Sequence, residues 1–354
     1  MKLHSGSKYL VVGTMSGTSL DGLDLAAVEF SYAENRWTFS IAAAETSGYT
    51  ADWEEKLKSS PALSGEQLME LHNEYGSYTG RQINRFMQDH QFVPALIASH
   101  GHTVFHQPAK GFTFQLGNGA CIAAETGIAT AADFRSGDVA LGGQGAPLVP
   151  VGDRLLFPEY GSCLNLGGFA NISYEKNGQR VAFDICPANF ILNDLAQQSG
   201  RPFDAGGELG RLGTVNAELL EKLNQLDFYR QPPPKSLGRE WMNETFLPLT
   251  TASGISLNDK LSTAYEHIAL QIANASPAKG KMLVTGGGAF NSFLLERIRH
   301  YLPYEVVIPN DETVKFKEAL VFAFLGLLRF LNEINCYASV TGARKDSSTG
   351  VLYY

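Results

Sequence analysis

The sequence predicts an α/β protein built from two related lobes, and three features carry that expectation. Its 354 residues exceed the roughly 250–300 at which a single hydrophobic core stops growing. A pattern of strand, glycine turn, strand, polar turn and strand opens the chain and returns after residue 160, and such recurrence marks a duplicated architecture. The densest motif, GTMSGTSLDGLD from Gly13 to Asp24, lies between two strand-like runs of a hairpin. Two lobes facing each other make the cleft between them the expected ligand site.

Tyr9 to Val12, Leu25 to Phe30 and Trp37 to Ala44 read as the first three strands. The glycines and hydroxyl residues between the first two allow successive backbone N–H groups to point inward, a nest suited to phosphate. Asp21 and Asp24 then stand where a phosphate-bound Mg²⁺ needs acidic neighbours. The hairpin setting separates this loop from Walker loops and dinucleotide fingerprints, both of which run from strand into helix.

Apolar residues at helical spacing, opened by the capping box Ser64 and Gln67, predict a long helix from Ser64 to about His90. Leu96 to Ser99 reads as a buried strand ending in a turn at His100, Gly101 and His102. Thr113 to Leu116 and Ile128 to Ala131 read as further strands around a short helix, and Gly142 to Gly145 as a boundary. The expected lobes are therefore 1–145, with 337–354 packing back on them, and 146–336.

The second half repeats the order with strands Gly161 to Leu166, Phe169 to Glu175 and Val181 to Asp184, the first two joined by Gly167 and Gly168. Helices are expected at Asn189 to Gln198, Glu208 to Leu226, Leu257 to Ala275 and Asn291 to His300. Strands at Met282 to Thr285 and Glu305 to Ile308, the turn Gly286 to Gly288 and an apolar helix from Glu318 to Asn332 complete the reading.

A net charge of -8 leaves no general basic surface for nucleic acid. No apolar run reaches the roughly 18 residues needed to span a bilayer, and no signal-type segment opens the chain, so a cytoplasmic location without membrane attachment is expected. Cys121, Cys163, Cys186 and Cys336 lack CxxC spacing and suggest neither a zinc site nor a disulfide framework.

Asp184, at a strand end, is placed either to take a proton during phosphoryl transfer or to satisfy N–H groups at the entry of the next helix. Gly286, Gly287 and Gly288 allow a flat ring or a phosphate to approach the backbone. His100, His102 and His106 suit polar contacts better than a metal, since no fourth ligand is evident. Arg135 suits an anion or sugar clamp, or an ion pair with Asp133 or Asp138. Glu318 reads as a helix cap or a ligand contact.

Eight blocks occur in the order found in the anhydro-N-acetylmuramic acid kinases, which the chain resembles nearly end to end. They are GTMSGTSLDGLD (13–24), HGHTVFHQP (100–108), the segment 133–150 with ALGGQGAPLVP, NLGGFANIS (165–173), PKSLGRE (234–240), TGGGAFN (285–291), EALVFAFLG (318–326) and SVTGA (339–343). The resemblance implies a two-lobed fold of the actin, hexokinase and Hsp70 type, made of duplicated ribonuclease H-like domains. It implies an enzyme that uses ATP and Mg²⁺ to open the anhydro bridge of a cell-wall recycling sugar and phosphorylate O6, acting as a homodimer. Carried to this chain, Gly17, Thr18, Ser19, Leu20, Asp21, Gly22, Leu23 and Asp24 resemble the ATP phosphate loop, with Asp21 beside Mg²⁺ through water. Gly167 and Gly168 join them on the nucleotide, and Gly286 to Gly288 fall on the adenosine side. Asp184 resembles the catalytic base, and His100, Arg135, Asn189 and Glu318 fall on the sugar side.

The chain departs from the family pattern after Asp184, where Cys186 and Ala188 replace two glycines, at His102, where glutamine is usual, and at Lys315 to Lys317. A kinase for another 1,6-anhydrosugar such as levoglucosan is the related alternative. An ATP-switched chaperone or filament protein of the same fold is the alternative outside enzymes.

Overall fold

In the computed structural model, which describes residues 6–17, 20–251 and 254–354, the chain divides into Met1–Phe157 with Phe316–Tyr354 as one unit and Pro158–Lys315 as the other. The first unit is built on β1 (Ser7–Ser16), β2 (Leu23–Ala33), β3 (Arg36–Ser47), β4 (Leu96–Gln107), β5 (Phe112–Leu116), β6 (Thr130–Ala132) and the C-terminal strand Val351–Tyr353. Its sheet runs C-terminal strand, β6, β4, β1, β2, β3, with β5 paired to β4. β1 is antiparallel to β2 and parallel to β4.

Near-continuous apolar runs in β1 and β2 suit strands covered on both faces. Val12, Leu25 and Ala27 pack with Ile83 and Phe86 of the helix Gly65–His90, which the Ser64–Gln67 capping box opens as expected. The alternate residues meet the helix Asp311–Phe330. There Phe30 lies 5.2 Å from Phe324, and a Cβ on Gly13 would collide with the Ala319 carbonyl oxygen. Glycine is needed at position 13 because strand and helix backbone touch.

The second unit holds β7 (Ser162–Leu166), β8 (Phe169–Lys176), β9 (Gln179–Pro187), β10 (Met282–Thr285) and β11 (Val306–Val307), in the order β11, β10, β7, β8, β9. β7, β8 and β9 form an antiparallel meander, and β10 runs parallel to β7 and β11. β3, β2, β1, β4 and β6 repeat this arrangement in the first unit. The duplicated meander with parallel strands added at its first member is the ribonuclease H-like pattern of the actin, hexokinase and Hsp70 ATPases, as the sequence predicts. On the helix Leu257–Ala275, Leu261, Tyr265, Ile268 and Ile272 are all buried, matching the helical period.

Several local expectations change. The unit division keeps 146–157 and 316–336 with the first unit, and the glycines at 142–145 lie inside it rather than at a boundary. β4 continues through His100, Gly101 and His102 instead of turning, because Gly101 adopts φ +77° within the strand. The expected helix 208–226 is two helices, Glu208–Arg211 and Ala217–Asn224. The break follows from Gly213, where a Cβ would collide with the backbone of Asn258, and from Asn216, whose side chain caps the second helix. Asp184 is not the strand end, since β9 runs on to Pro187.

Glu318 does not open its helix. The first turn belongs to Asp311 and Glu312, and Asn310 caps it by accepting the Thr313 N–H. Lys317, beside Glu318, is buried in an ion pair with Asp153 at 2.7 Å. No helix among the described residues is long and apolar enough to cross a membrane.

Candidate active site

In the first unit the loop of interest is the tip of the β1–β2 hairpin, between the paired residues Ser16 and Leu23. Thr18 and Ser19 lie outside the described residues. Gly17 is followed, past them, by Leu20, whose φ of +62° turns the chain while its side chain packs near Trp53 and Tyr75. Gly22 has φ +156°, and a Cβ there would lie 2.7 Å from the Ser47 carbonyl oxygen. Asp21 is exposed and Leu23 buried. The Asp24 carboxylate accepts a 2.6 Å hydrogen bond from Thr46. Desolvation nevertheless raises its pKa; the Thr46 bond opposes this and Asp21 adds to it.

A polar chain anchors the start of the loop. Tyr49 donates to Ser16 at 2.7 Å, and Ser16 meets His102 Nδ1 at 2.9 Å. The His102 ring nitrogen and the Ser16 hydroxyl thus extend the chain that Tyr49 begins. Burial lowers the His102 pKa to about 4.

His100 and Arg135 come together beside Glu318. Arg135 donates from Nε and Nη2 to His100 Nε2 at 3.0 and 2.8 Å, and from Nη1 to the Gly145 carbonyl at 2.7 Å. Asp133 and Asp138 have other partners, so the expected alternative of an ion pair with either is replaced by these contacts. Desolvation lowers the Arg135 pKa to about 10 while Glu318 raises it, leaving a cation at neutral pH. Glu318 keeps contact with solvent, yet enough protein surrounds it for desolvation to raise its pKa against the field of Arg135. His106 is exposed and bonds Thr113 at 3.1 Å, so the three histidines face separate partners.

In the second unit the Gly167–Gly168 tip, Asn189 and the Gly286–Gly288 turn form one group. Thr285 pairs with Asn165, so the turn after β10 lies beside the tip after β7. Asn189 donates its side-chain N–H to the Leu166 carbonyl at 2.9 Å. The N–H groups of Ala188, Asn189 and Phe190 are taken by the carbonyls of Gly168, Gly167 and Gly168. Side chains at Gly286 and Gly288 would not fit. A Cβ on Gly286, whose φ is +83°, would lie 2.6 Å from Asn165 Oδ1, and one on Gly288 would lie 2.7 Å from the Leu166 Cβ. Gly287 is exposed and reaches solvent at the turn.

Asp184 stands one strand away, since Asn171 of β8 pairs with it. Its Oδ2 accepts a 2.8 Å hydrogen bond from the Leu237 N–H, and its own N–H donates to the Lys235 carbonyl. Among the described residues Oδ1 takes no hydrogen bond. The expected alternative, a carboxylate satisfying N–H groups of the next helix, is replaced by this contact with a distant loop. Desolvation raises the Asp184 pKa, and the Leu237 bond lowers it less. Cys186 and Ala188 are fully buried in the apolar core.

Sequence reasoning missed the loop that holds Asp184. Lys235 bonds the Phe228 carbonyl at 2.9 Å, Leu237 supplies the N–H, and Arg239 lies 3.7 Å from the Phe190 ring centroid. Its signal was the PKSLGRE block itself, a charged and glycine-containing stretch that begins on the last of three prolines. Asp138 was also missed in its real role, which is to bond Gly145, Thr341 and Cys336.

The family model for anhydro-N-acetylmuramic acid kinase matches residues 9–354. An anhydro-N-acetylmuramic acid kinase of Saccharophagus degradans is 35% identical, the match covering 97% of this chain and 98% of the relative. One from Vibrio cholerae is 36% identical, covering 98% and 99%. The chain belongs to the anhydro-N-acetylmuramic acid kinase family. As a member of the anhydro-N-acetylmuramic acid kinases it is a phosphotransferase. A ROK-family glucokinase from Streptomyces griseus, solved with glucose and AMPPNP, resembles it at 11% identity and a TM-score of 0.39, covering 90% of this chain and 99% of that one. The fold assignment rests on the two sheets rather than on that likeness.

Proposed function

We propose that this kinase hydrolytically opens the 1,6-anhydro ring of anhydro-N-acetylmuramic acid and transfers the γ-phosphoryl group of ATP to O6. The products are N-acetylmuramic acid 6-phosphate and ADP, and the setting is cytoplasmic peptidoglycan recycling by a homodimer. The observation that carries this reading is Asp184, with one oxygen held by the Leu237 N–H and the other open, in a chain that matches the family end to end.

In the proposed reaction a water oxygen bonds to C1 as the C1–O6 bond breaks, and the water proton passes to Asp184. O6 bonds to the γ-phosphorus, and the bond to the ADP oxygen breaks. Water is a weak nucleophile, so a carboxylate that both orients it and takes its proton lowers the barrier where C1 gains positive character. The fixed Leu237 N–H leaves one defined oxygen for this task.

The hairpin tip from Gly17 to Asp24 would bind the phosphates, and Gly167, Gly168 and Gly286 to Gly288 would give the nucleotide close backbone approach. Mg²⁺ is usually held by one or two carboxylates together with substrate phosphates. Exposed Asp21 beside Asp24 fits that requirement, and the ion would neutralise charge on the transferring phosphoryl group. Arg135, two of whose N–H groups take no hydrogen bond among the described residues, and Glu318 would bind sugar oxygens, with His100 behind Arg135 and Asn189 as a further proposed sugar contact.

The test is a turnover assay with ATP and Mg²⁺ in which the protein is offered anhydro-N-acetylmuramic acid, levoglucosan or no sugar. ADP release and a 6-phosphosugar by mass spectrometry are expected with the first. Preference for levoglucosan would reassign the acceptor, and ATP turnover indifferent to sugar would end the proposal.

A further inference from the structure

We propose that His100 is a positioning residue that aims the Arg135 guanidinium through the lone pair on its Nε2, and that it does not itself bind the sugar. This rests on the reading of Arg135 as a sugar contact. His100 Nδ1 lies 2.8 Å from the Gly101 carbonyl, and a carbonyl can only accept, so Nδ1 carries the proton. Nε2 is then an acceptor, and Arg135 fills it with two N–H groups at 3.0 and 2.8 Å. Both ring nitrogens are thereby used. The ring is 4% exposed and packs against Phe322, tilted 54° with 4.5 Å between centroids. With both nitrogens used and 4% of its surface exposed, it has little to give a ligand.

The other end of the guanidinium is held by the Gly145 carbonyl at 2.7 Å. Gly145 is itself fixed by donating its N–H to Asp138 Oδ2 at 2.7 Å. Asp138 Oδ1 accepts from Thr341 at 2.8 Å and Cys336 at 3.1 Å, which ties the C-terminal SVTGA segment to the same arginine. A side chain on Gly143 would collide with the Asp138 carboxylate. Of the five N–H donors of an arginine, three are spent inward, and one on each terminal nitrogen takes no hydrogen bond among the described residues. That pair suits a bidentate bond to a carboxylate or to neighbouring hydroxyls.

A double-mutant cycle on the full-length enzyme separates positioning from direct contact. His100→Ala is expected to raise the KM for sugar about tenfold or more with little change in the KM for ATP. His100→Gln, whose amide oxygen still accepts, should recover part of that loss. In an Arg135→Ala background, His100→Ala should add almost nothing. A full additional effect there would mean that His100 touches the sugar, and would overturn the proposal. An unchanged sugar KM in Arg135→Ala alone would instead overturn the underlying reading of Arg135. The positioning geometry is tested separately by ¹⁵N NMR of histidine-labelled, ligand-free wild type. A protonated Nδ1 and bare Nε2 at His100 are expected, and a protonated Nε2 would refute the inference even if every variant misfolded.

Discussion

The carboxylate of Asp184 accepts a 2.8 Å hydrogen bond from the backbone N–H of Leu237, 53 residues further along the chain. A backbone donor holds one carboxylate oxygen without introducing a charge beside it, so the other stays basic. The PKSLGRE segment is thereby explained as the support of the proposed base.

Asp184→Asn keeps the shape and an acceptor for Leu237 but cannot take a proton. Turnover is expected to fall by about 10²–10⁴-fold, while ATP binding measured by calorimetry stays close to wild type. Retention of most activity would remove Asp184 from the role of base.

The pH profile follows from the direction of the Asp184 shift. A base must be ionised, and burial raises its pKa above the ordinary aspartate value, so activity should rise with pH along an acid limb lying above that value. An acid limb in kcat/KM at or below the ordinary aspartate value of about 3.9 would contradict the assignment.

His102 makes a stability prediction. Its pKa is lowered from 6.5 to about 4 in the folded protein by burial. Between those values the unfolded chain binds the proton and the folded one does not, so stability is full above about pH 6.5 and is lost as pH falls toward 4. The contribution is on the order of 3 kcal/mol. Urea unfolding from pH 4.5 to 7.5 should show a flatter acid slope in His102→Gln than in wild type. His267, lowered to about 3 by burial, supplies a remaining slope in both. Identical slopes would mean that His102 does not titrate as described.

Lys317 and Asp153 form an ion pair with side chains 6% exposed on each side. Lys317→Met removes this cation from the buried Asp153 carboxylate and should destabilise the protein in chemical unfolding, by up to about 3–5 kcal/mol. A loss below about 1 kcal/mol would show that the pair is dispensable. This pairing also explains the lysine that departs from the family pattern beside Glu318.

The hairpin setting of the proposed phosphate loop, the duplicated meander and the Gly65–His90 helix were legible in sequence because each is written in a local period or a cap. Asp184, Arg135 and Glu318 could be singled out as chemistry-bearing residues, but their alternatives could not be separated. For Asp184 and Arg135 the deciding partners, Leu237 and His100, are distant in the chain. Gly101 looked like a turn because glycine permits positive φ, and only the strands on both sides of β4 show that the backbone continues as sheet. Glu318 looked like a helix start because apolar periodicity begins there, whereas the turn before it is held by the Asn310 cap and the buried Lys317 ion pair.

By itself the sequence determined the two-unit α/β architecture and the family, since strand period, glycine turns and ordered motifs are properties of neighbouring residues. Tertiary structure decided which polar groups meet: Leu237 with Asp184, His100 with Arg135, and Asp138 with the C-terminal segment. Those contacts join residues far apart in the chain, and the free energy that selects them comes from packing and burial rather than from local preference.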